Sequence, residues 1–333
     1  MIWLLVNRNR ELTSITSYQY FAFHWRHSAW VSALLILIFN AVLYVSTGLI
    51  DTEASTLGFS SQMHLIGMML LMTLMPMWLL GCFIVTQRHS LAMARRLDAS
   101  LAQSILNFPK RQVLLGFGGG LVYALAFNVP LHQINLVLAG NGAMISIFIG
   151  QLMVWMCVGF LLSLRLYVGT LFYQLGKTIK ISIFEQSSLE PFARVGMLDV
   201  AIVVGGLAIV VVQSIDAQFR VENYATALLV AVPAGTALLV RPMWSLHRRL
   251  AKRKKKLLEE VCLQVEMASE QSSAADMAVL ESLLQRRDRI KAIHTWPLDV
   301  AIWRRLFFYV LIPPLAWSGA ALVEVVIDKF LGL

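Results

Sequence analysis

The sequence predicts an all-α integral membrane protein: a seven-helix bundle with its N-terminus inside, its C-terminus outside and long cytoplasmic helical extensions. Of its 333 residues, 58% are hydrophobic and 14% are charged, and the mean hydropathy is +0.69. Apolar runs of about twenty residues with few charges are typical of membrane-spanning helices. We identify seven such runs, at about residues 29–50, 64–85, 113–131, 143–164, 195–215, 224–240 and 306–327.

The orientation follows from the distribution of basic residues. Of the 28 Lys and Arg residues, all but Arg220 and Lys329 lie in or beside segments on one predicted side. Basic loops face the cytoplasm, which places the N-terminus inside and the C-terminus outside. We therefore attribute the net charge of +9 to orientation and contact with membrane lipids, and expect no nucleic-acid partner.

The elements before the last loop have individual signatures. Span two, rich in methionine, contains Pro76, which favours a kink or irregular helix packing. The amphipathic run 91–106 predicts an interfacial helix. Gly116 and Gly120 form a small-xxx-small pair, which favours close approach of two helices. The helical pattern of span four continues past Leu164, so spans four to six are expected to project inward.

We divide the chain into six spans with an amphipathic N-terminal segment (1–240), a cytoplasmic helical hairpin (241–296) and the seventh span (297–333). In the hairpin, two charged helical runs flank a polar break at 269–273, so antiparallel packing is expected. Each run carries an apolar stripe that needs a partner. The candidate assembly residues are Leu250, Leu257, Met277, Leu280 and Leu284. The partner is either another subunit or the other helix of the same chain.

The sequence does not favour an enzyme. Its seven histidines form no HxxxH or HExxH pattern, and no P-loop, GxSxG motif or paired intramembrane aspartates occur. The three cysteines indicate no disulfide framework. We expect no cofactor and no metal site.

Two ionisable residues lie within predicted spans: Asp199 near the inner end of span five and Glu324 near the outer end of span seven. Helical spacing puts Glu324 on one face with four other residues of the last span, Pro313, Trp317, Ala320 and Ala321. Repeated around an axis, this face would line a pore with a ring of carboxylates. Alternatively, Glu324 reaches the outer interface or pairs with Lys329.

A small-molecule pocket is predicted in the outer half of the bundle, between spans two, three, four and six. The polar and aromatic residues that the topology places there are His64, Tyr123, Asn128, Gln151 and Trp155. The same residues would also serve as interhelical hydrogen-bond partners.

Seven spans, prolonged inner helices and a cytoplasmic hairpin before the last span resemble the seven-transmembrane ion channel superfamily that includes insect odorant and gustatory receptors. The resemblance is one of architecture, because residues 306–327 lack the family's Thr-Tyr and Gln-Phe signature. It implies a homotetramer in a bacterial inner membrane, assembled through the cytoplasmic helices. The resemblance further implies that the last span lines a cation pore and that a small-molecule ligand gates it. A transporter of a small apolar or amphipathic solute and a membrane scaffold or sensor are the alternatives.

Overall fold

The computed structural model describes residues 28–179, 189–214, 221–269, 274–293 and 295–296. Within these residues every regular element is helical. The α-helices are α1 (Ser28–Ser46), α2 (Gln62–Leu97), α3 (Ala99–Leu106), α4 (Lys110–Tyr123), α5 (Leu131–Leu138), α6 (Gly142–Thr178), α7 (Glu190–Val210), α8 (Val221–Ser269) and α9 (Ala274–Ala292). Three 3-10 turns (Leu49–Asp51, Ala54–Leu57 and Val211–Ser214) and a π-helical turn (Ala124–Asn128) connect or extend them.

In the described part of the chain, four helical segments are long and apolar enough to cross a membrane. They are α2, α6, α7 with its 3-10 extension (Glu190–Gln213), and α8 over Ala225–Ser269. A fifth results if α4 with its π-helical turn and α5, which meet at 105°, count as one span. The apolar part of α1, Ala33–Ser46, is shorter. The all-helical apolar bundle is confirmed; the count of seven and the orientation stay predictions, and span seven lies outside the described residues.

The link after span two differs from the prediction. Instead of a separate interfacial helix over 91–106, α2 passes Pro76 and continues to Leu97. Asp98 then begins α3, because its Oδ1 accepts a hydrogen bond from the Ser100 backbone N–H at 2.7 Å. The N-cap at Asp98 therefore divides the predicted interfacial helix.

One helix runs across the predicted division at 240/241. Helix α8 is continuous through Pro233 and Pro242, so the sixth apolar run and the first charged run are one helix. Helix α9 packs back against it: Lys254 Nζ donates to the carbonyl oxygens of Lys291 and Ile293, each at 2.7 Å. The hairpin is antiparallel, as predicted.

The predicted close approach at Gly116 and Gly120 is present, and its partner is α6. A Cβ atom on Gly116 would lie 2.8 Å from the Gly159 carbonyl oxygen. A Cβ on Gly120 would overlap the Trp155 carbonyl oxygen. Helices α4 and α6 thus meet backbone to backbone.

Candidate functional site

A cavity of about 310 Å³ lies between α2, α6, α7 and α8. Each helix contributes residues three or four positions apart, which is the spacing of one helical face. On α6 these are Gln151, Trp155, Val158, Leu162 and Arg165. On α2, Met68, Met72, Met75 and Leu79 supply an apolar wall. The flexible thioether side chains suit a site of irregular shape.

The cavity extends along α6. Gln151 and Arg165 both line it, and they lie roughly 21 Å apart along α6 at a rise of about 1.5 Å per residue. An engineered cavity of about 150 Å³ holds benzene, so the present volume suits a ligand roughly twice that size.

One end of the cavity, the ion-pair end, contains Arg165 and Asp199. Arg165 Nε donates to Asp199 Oδ1 at 2.7 Å, and Arg165 Nη2 donates to Ser90 Oγ at 2.8 Å. Both charged residues are only 1% exposed. Arg165 Nη1 and Asp199 Oδ2 are buried and have no hydrogen-bond partner among the described residues.

The other end, the loop end, is polar. The π-helical turn ends α4, and the following bend at Pro130 brings Asn128 and His132 to the cavity wall. Gly58 covers this end with a left-handed φ of 79°, and a Cβ there would lie 3.6 Å from His132 Nε2. The Oε1 atoms of Gln133 and Gln151 are buried without a hydrogen-bond partner in the described part of the chain.

Four of the five predicted pocket residues, His64, Asn128, Gln151 and Trp155, line this cavity. Tyr123 does not: it packs on Trp155 with ring centroids 4.4 Å apart, and its hydroxyl donates to the Thr226 carbonyl oxygen at 3.0 Å. The walls of the cavity also differ from the prediction, which placed the pocket between spans two, three, four and six. In the structure, span five (α7) forms the fourth wall, and span three contributes Asn128 at the loop end. Ligand binding by these residues stays a prediction.

Arg165 was not among the site residues predicted from the sequence. It lies one residue beyond the predicted span four, 143–164, and Asp199 was predicted only as an ionisable residue near the inner end of span five. Helical periodicity does place Arg165 on the Gln151 face of α6. Asp199 lies at the corresponding end of the next span. The positions of these two residues in the sequence were the signal that could have predicted an ion pair.

The candidate assembly residues fall into two groups. Leu250 is 4% exposed and belongs to the core of its own chain, so it is not available to a second subunit. Leu257, Leu280 and Leu284 are half-buried. Met277 is 72% exposed. The five candidate pore residues, Pro313, Trp317, Ala320, Ala321 and Glu324, lie outside the described residues.

Among the described residues, no group of three or more His, Cys, Asp or Glu side chains is placed to hold a metal ion. No family model, curated protein or solved structure matches this chain. The cavity and the helices that surround it are the features of the described residues that bear on function.

Proposed function

We propose that this chain is a multi-pass membrane protein that binds a small, mostly apolar ligand in the cavity between α2, α6, α7 and α8. The bound ligand controls a homotetrameric cation channel lined by the last span. The observation that carries the binding proposal is the cavity itself, which is long and largely apolar with polar groups at both ends. Sites for small molecules typically combine apolar walls with a few placed polar groups.

The outer surface supports the membrane location. On α1, Leu35, Phe39 and Val42 share one face and are 45%, 49% and 62% exposed. On α4, Leu114 and Val122 are 74% and 65% exposed. Water-soluble proteins rarely expose contiguous apolar faces of this kind. In a membrane, lipid tails surround these apolar side chains, so their exposure carries no hydrophobic penalty.

A physical connection leads from the cavity toward the last span. Helix α8 lines the cavity up to Leu238 and continues without interruption into the hairpin. Arg249 of α8 binds the end of α6, donating from Nη1 to the Gly176 and Ile179 carbonyl oxygens, each at 2.8 Å. His247 stacks on Trp296, just before the predicted last span, with ring centroids 4.2 Å apart. A ligand that displaces α6 or α8 therefore shifts the start of the pore helix.

Photolabelling tests ligand binding. The protein in liposomes is irradiated with a decanol that carries a diazirine, and the modified residues are mapped by mass spectrometry. Label on cavity residues such as Met75 and Val158 is expected. Gly206→Leu, which fills the cavity from α7, should abolish this label. Gly81→Leu is the matched control, because a Cβ at Gly81 meets no atom within 4 Å. Unchanged labelling of Gly206→Leu would refute the binding site.

Conductance tests the channel. Purified protein in a planar bilayer should give single-channel currents that decanol modulates, and Glu324→Gln should lower the cation-to-anion permeability ratio. Fourfold particles are expected after detergent extraction. Equal permeability ratios in wild type and variant would remove the carboxylate ring from the proposal.

A transporter is the second candidate, favoured by the ion pair in the cavity wall, because ionisable groups within a membrane bundle often mark a substrate path. A transporter would show no single-channel steps. Glu324→Gln would then leave ion permeability unchanged while Gly206→Leu would still block labelling.

A further inference from the structure

The ion-pair end of the cavity has one unused donor and one unused acceptor. Arg165 uses Nε on Asp199 and Nη2 on Ser90, which leaves Nη1 without a partner among the described residues. Asp199 accepts through Oδ1, and its Oδ2 is buried without a hydrogen-bond partner among the described residues. Buried polar atoms without partners are costly and uncommon in folded proteins. Both atoms belong to residues that line the cavity.

The charge balance restricts what these atoms accept. The guanidinium and the carboxylate form a pair with no net charge, and both are 1% exposed. Besides this pair, the only titratable side chains that line the cavity among the described residues are His64 and His132, at the loop end. A charged head group at the ion-pair end would therefore be buried without a counter-charge, at high cost.

We infer that the ion-pair end binds the neutral head group of an amphiphile, one that both accepts and donates a hydrogen bond, as a primary carboxamide or an un-ionised carboxyl group does. The carbonyl oxygen accepts from Arg165 Nη1, and the N–H or O–H donates to Asp199 Oδ2. The apolar tail extends along Met75 and Val158 toward the loop end. This inference rests on the proposed function, since it specifies the ligand of the same cavity.

The cavity volume limits the tail. At roughly twice the volume of a cavity that holds benzene, it accommodates about ten tail carbons. Decanamide is therefore the probe, and N,N-dimethyldecanamide is its matched control, because it keeps the carbonyl acceptor and lacks the N–H donors. Decanoate at pH 8 presents the same tail with a charged head.

The experiment measures competition with the diazirine decanol at the cavity residues of the wild-type protein in liposomes, at equal membrane concentrations of each competitor. Decanamide should compete at about tenfold lower concentration than N,N-dimethyldecanamide, since a hydrogen bond to a charged group is lost in the dimethyl compound. Decanoate should compete no better than the dimethyl compound. Equal competition by the two amides overturns the donor–acceptor site, and effective competition by decanoate overturns the neutral head group.

A double variant tests whether the ion pair causes the preference for decanamide over N,N-dimethyldecanamide. Arg165→Met with Asp199→Leu removes both charges and keeps the volume apolar, a replacement that buried ion pairs often tolerate. It should still be labelled in the cavity but should no longer distinguish the two amides; a retained preference overturns the assignment to Arg165 and Asp199. If this variant does not fold, the wild-type comparison of the amides decides. In the wild-type protein, equal competition by the two amides with cavity labelling intact refutes only this inference, whereas absence of cavity labelling refutes the proposed function.

Discussion

Arg165 and Asp199 form an ion pair at 2.7 Å between α6 and α7, and the same guanidinium donates to Ser90 on α2. Three helices of the bundle thus meet at one buried side chain. The pair lines one end of the cavity and links three of the helices around it. The stability of the bundle and the proposed binding of a head group therefore involve the same side chains.

Arg165→Ala should lower the free energy of unfolding by about 3–5 kcal/mol, because it leaves the Asp199 carboxylate buried without a partner. The measurement is unfolding of the purified protein in detergent. Arg194→Ala is the control: Arg194 pairs with Glu190 at 2.5 Å, but the two side chains are 50% and 53% exposed. Its removal should cost about 1 kcal/mol or less. Similar losses in the two variants would contradict the structural role of the buried pair.

The sequence predicts which residues share a helical face but not which faces meet. Gly116 and Gly120 indicated a close helix contact, yet Gly159 as the partner follows only from the packing of α4 on α6. Helical periodicity likewise places Arg165 on the Gln151 face of α6, but its pairing with Asp199 follows only from the packing of α6 on α7. Pro242, beside the predicted division at 240/241, sits within α8. Its ring lies against Gly169 of α6, a contact that the sequence pattern does not indicate.

Apolar periodicity also predicts that a stripe will be buried without saying what buries it. The sequence left open whether another subunit or the other helix of the same chain covers the stripe on the charged hairpin. In the structure, Leu250 and Ile290 are 4% and 1% exposed within one chain. An antiparallel helix of the same chain and a helix of a neighbour require the same residue spacing. Leu250 and Ile290 are buried within the chain, while assembly of several subunits stays a prediction.

Gly120→Ala should destabilise the bundle, because a Cβ there overlaps the Trp155 carbonyl oxygen and lies 2.9 Å from the Met156 Cα. Overpacking of this kind costs about 1–3 kcal/mol. Gly119→Ala is the matched control on the same helix, since its Cβ meets no atom within 4 Å. Alanine should there be neutral or stabilising by about 1 kcal/mol through its helix propensity. Thermal unfolding in detergent compares the two, and a stable Gly120→Ala protein would contradict the close contact.

The N-cap of α3 should give a defined pH dependence. Hydrogen bonds from the Ser100 side chain, and then from its backbone N–H, lower the pKa of Asp98 from its ordinary value of 3.8. The carboxylate therefore stabilises the folded state above that value, and this contribution is lost as the pH falls through the lower folded pKa. Asp98→Asn caps the helix about as well but does not titrate. The melting-temperature difference between the two proteins should be constant above about pH 5 and move in favour of Asp98→Asn toward about pH 3. A pH-independent difference would remove Asp98 as the titrating cap.

The contact between His247 and Trp296 should couple the cavity to the last span. Their rings are stacked with an interplanar angle of 21° and a centroid distance of 4.2 Å, and Trp244 lies 6.1 Å from the same indole. Trp296→Ala removes this contact about 14 Å along α8 from Leu238, the last cavity residue of that helix, at a rise of about 1.5 Å per residue. Photolabelling of the cavity should therefore be unchanged. Decanol modulation of the single-channel current should be lost, because the movement of α8 no longer reaches residue 297 and beyond. Trp296→Phe keeps an aromatic ring against His247 and should restore the modulation. If Trp296→Ala responds to decanol as the wild type does, the ligand acts through another path; if it loses cavity labelling as well, Trp296 supports the fold rather than the coupling.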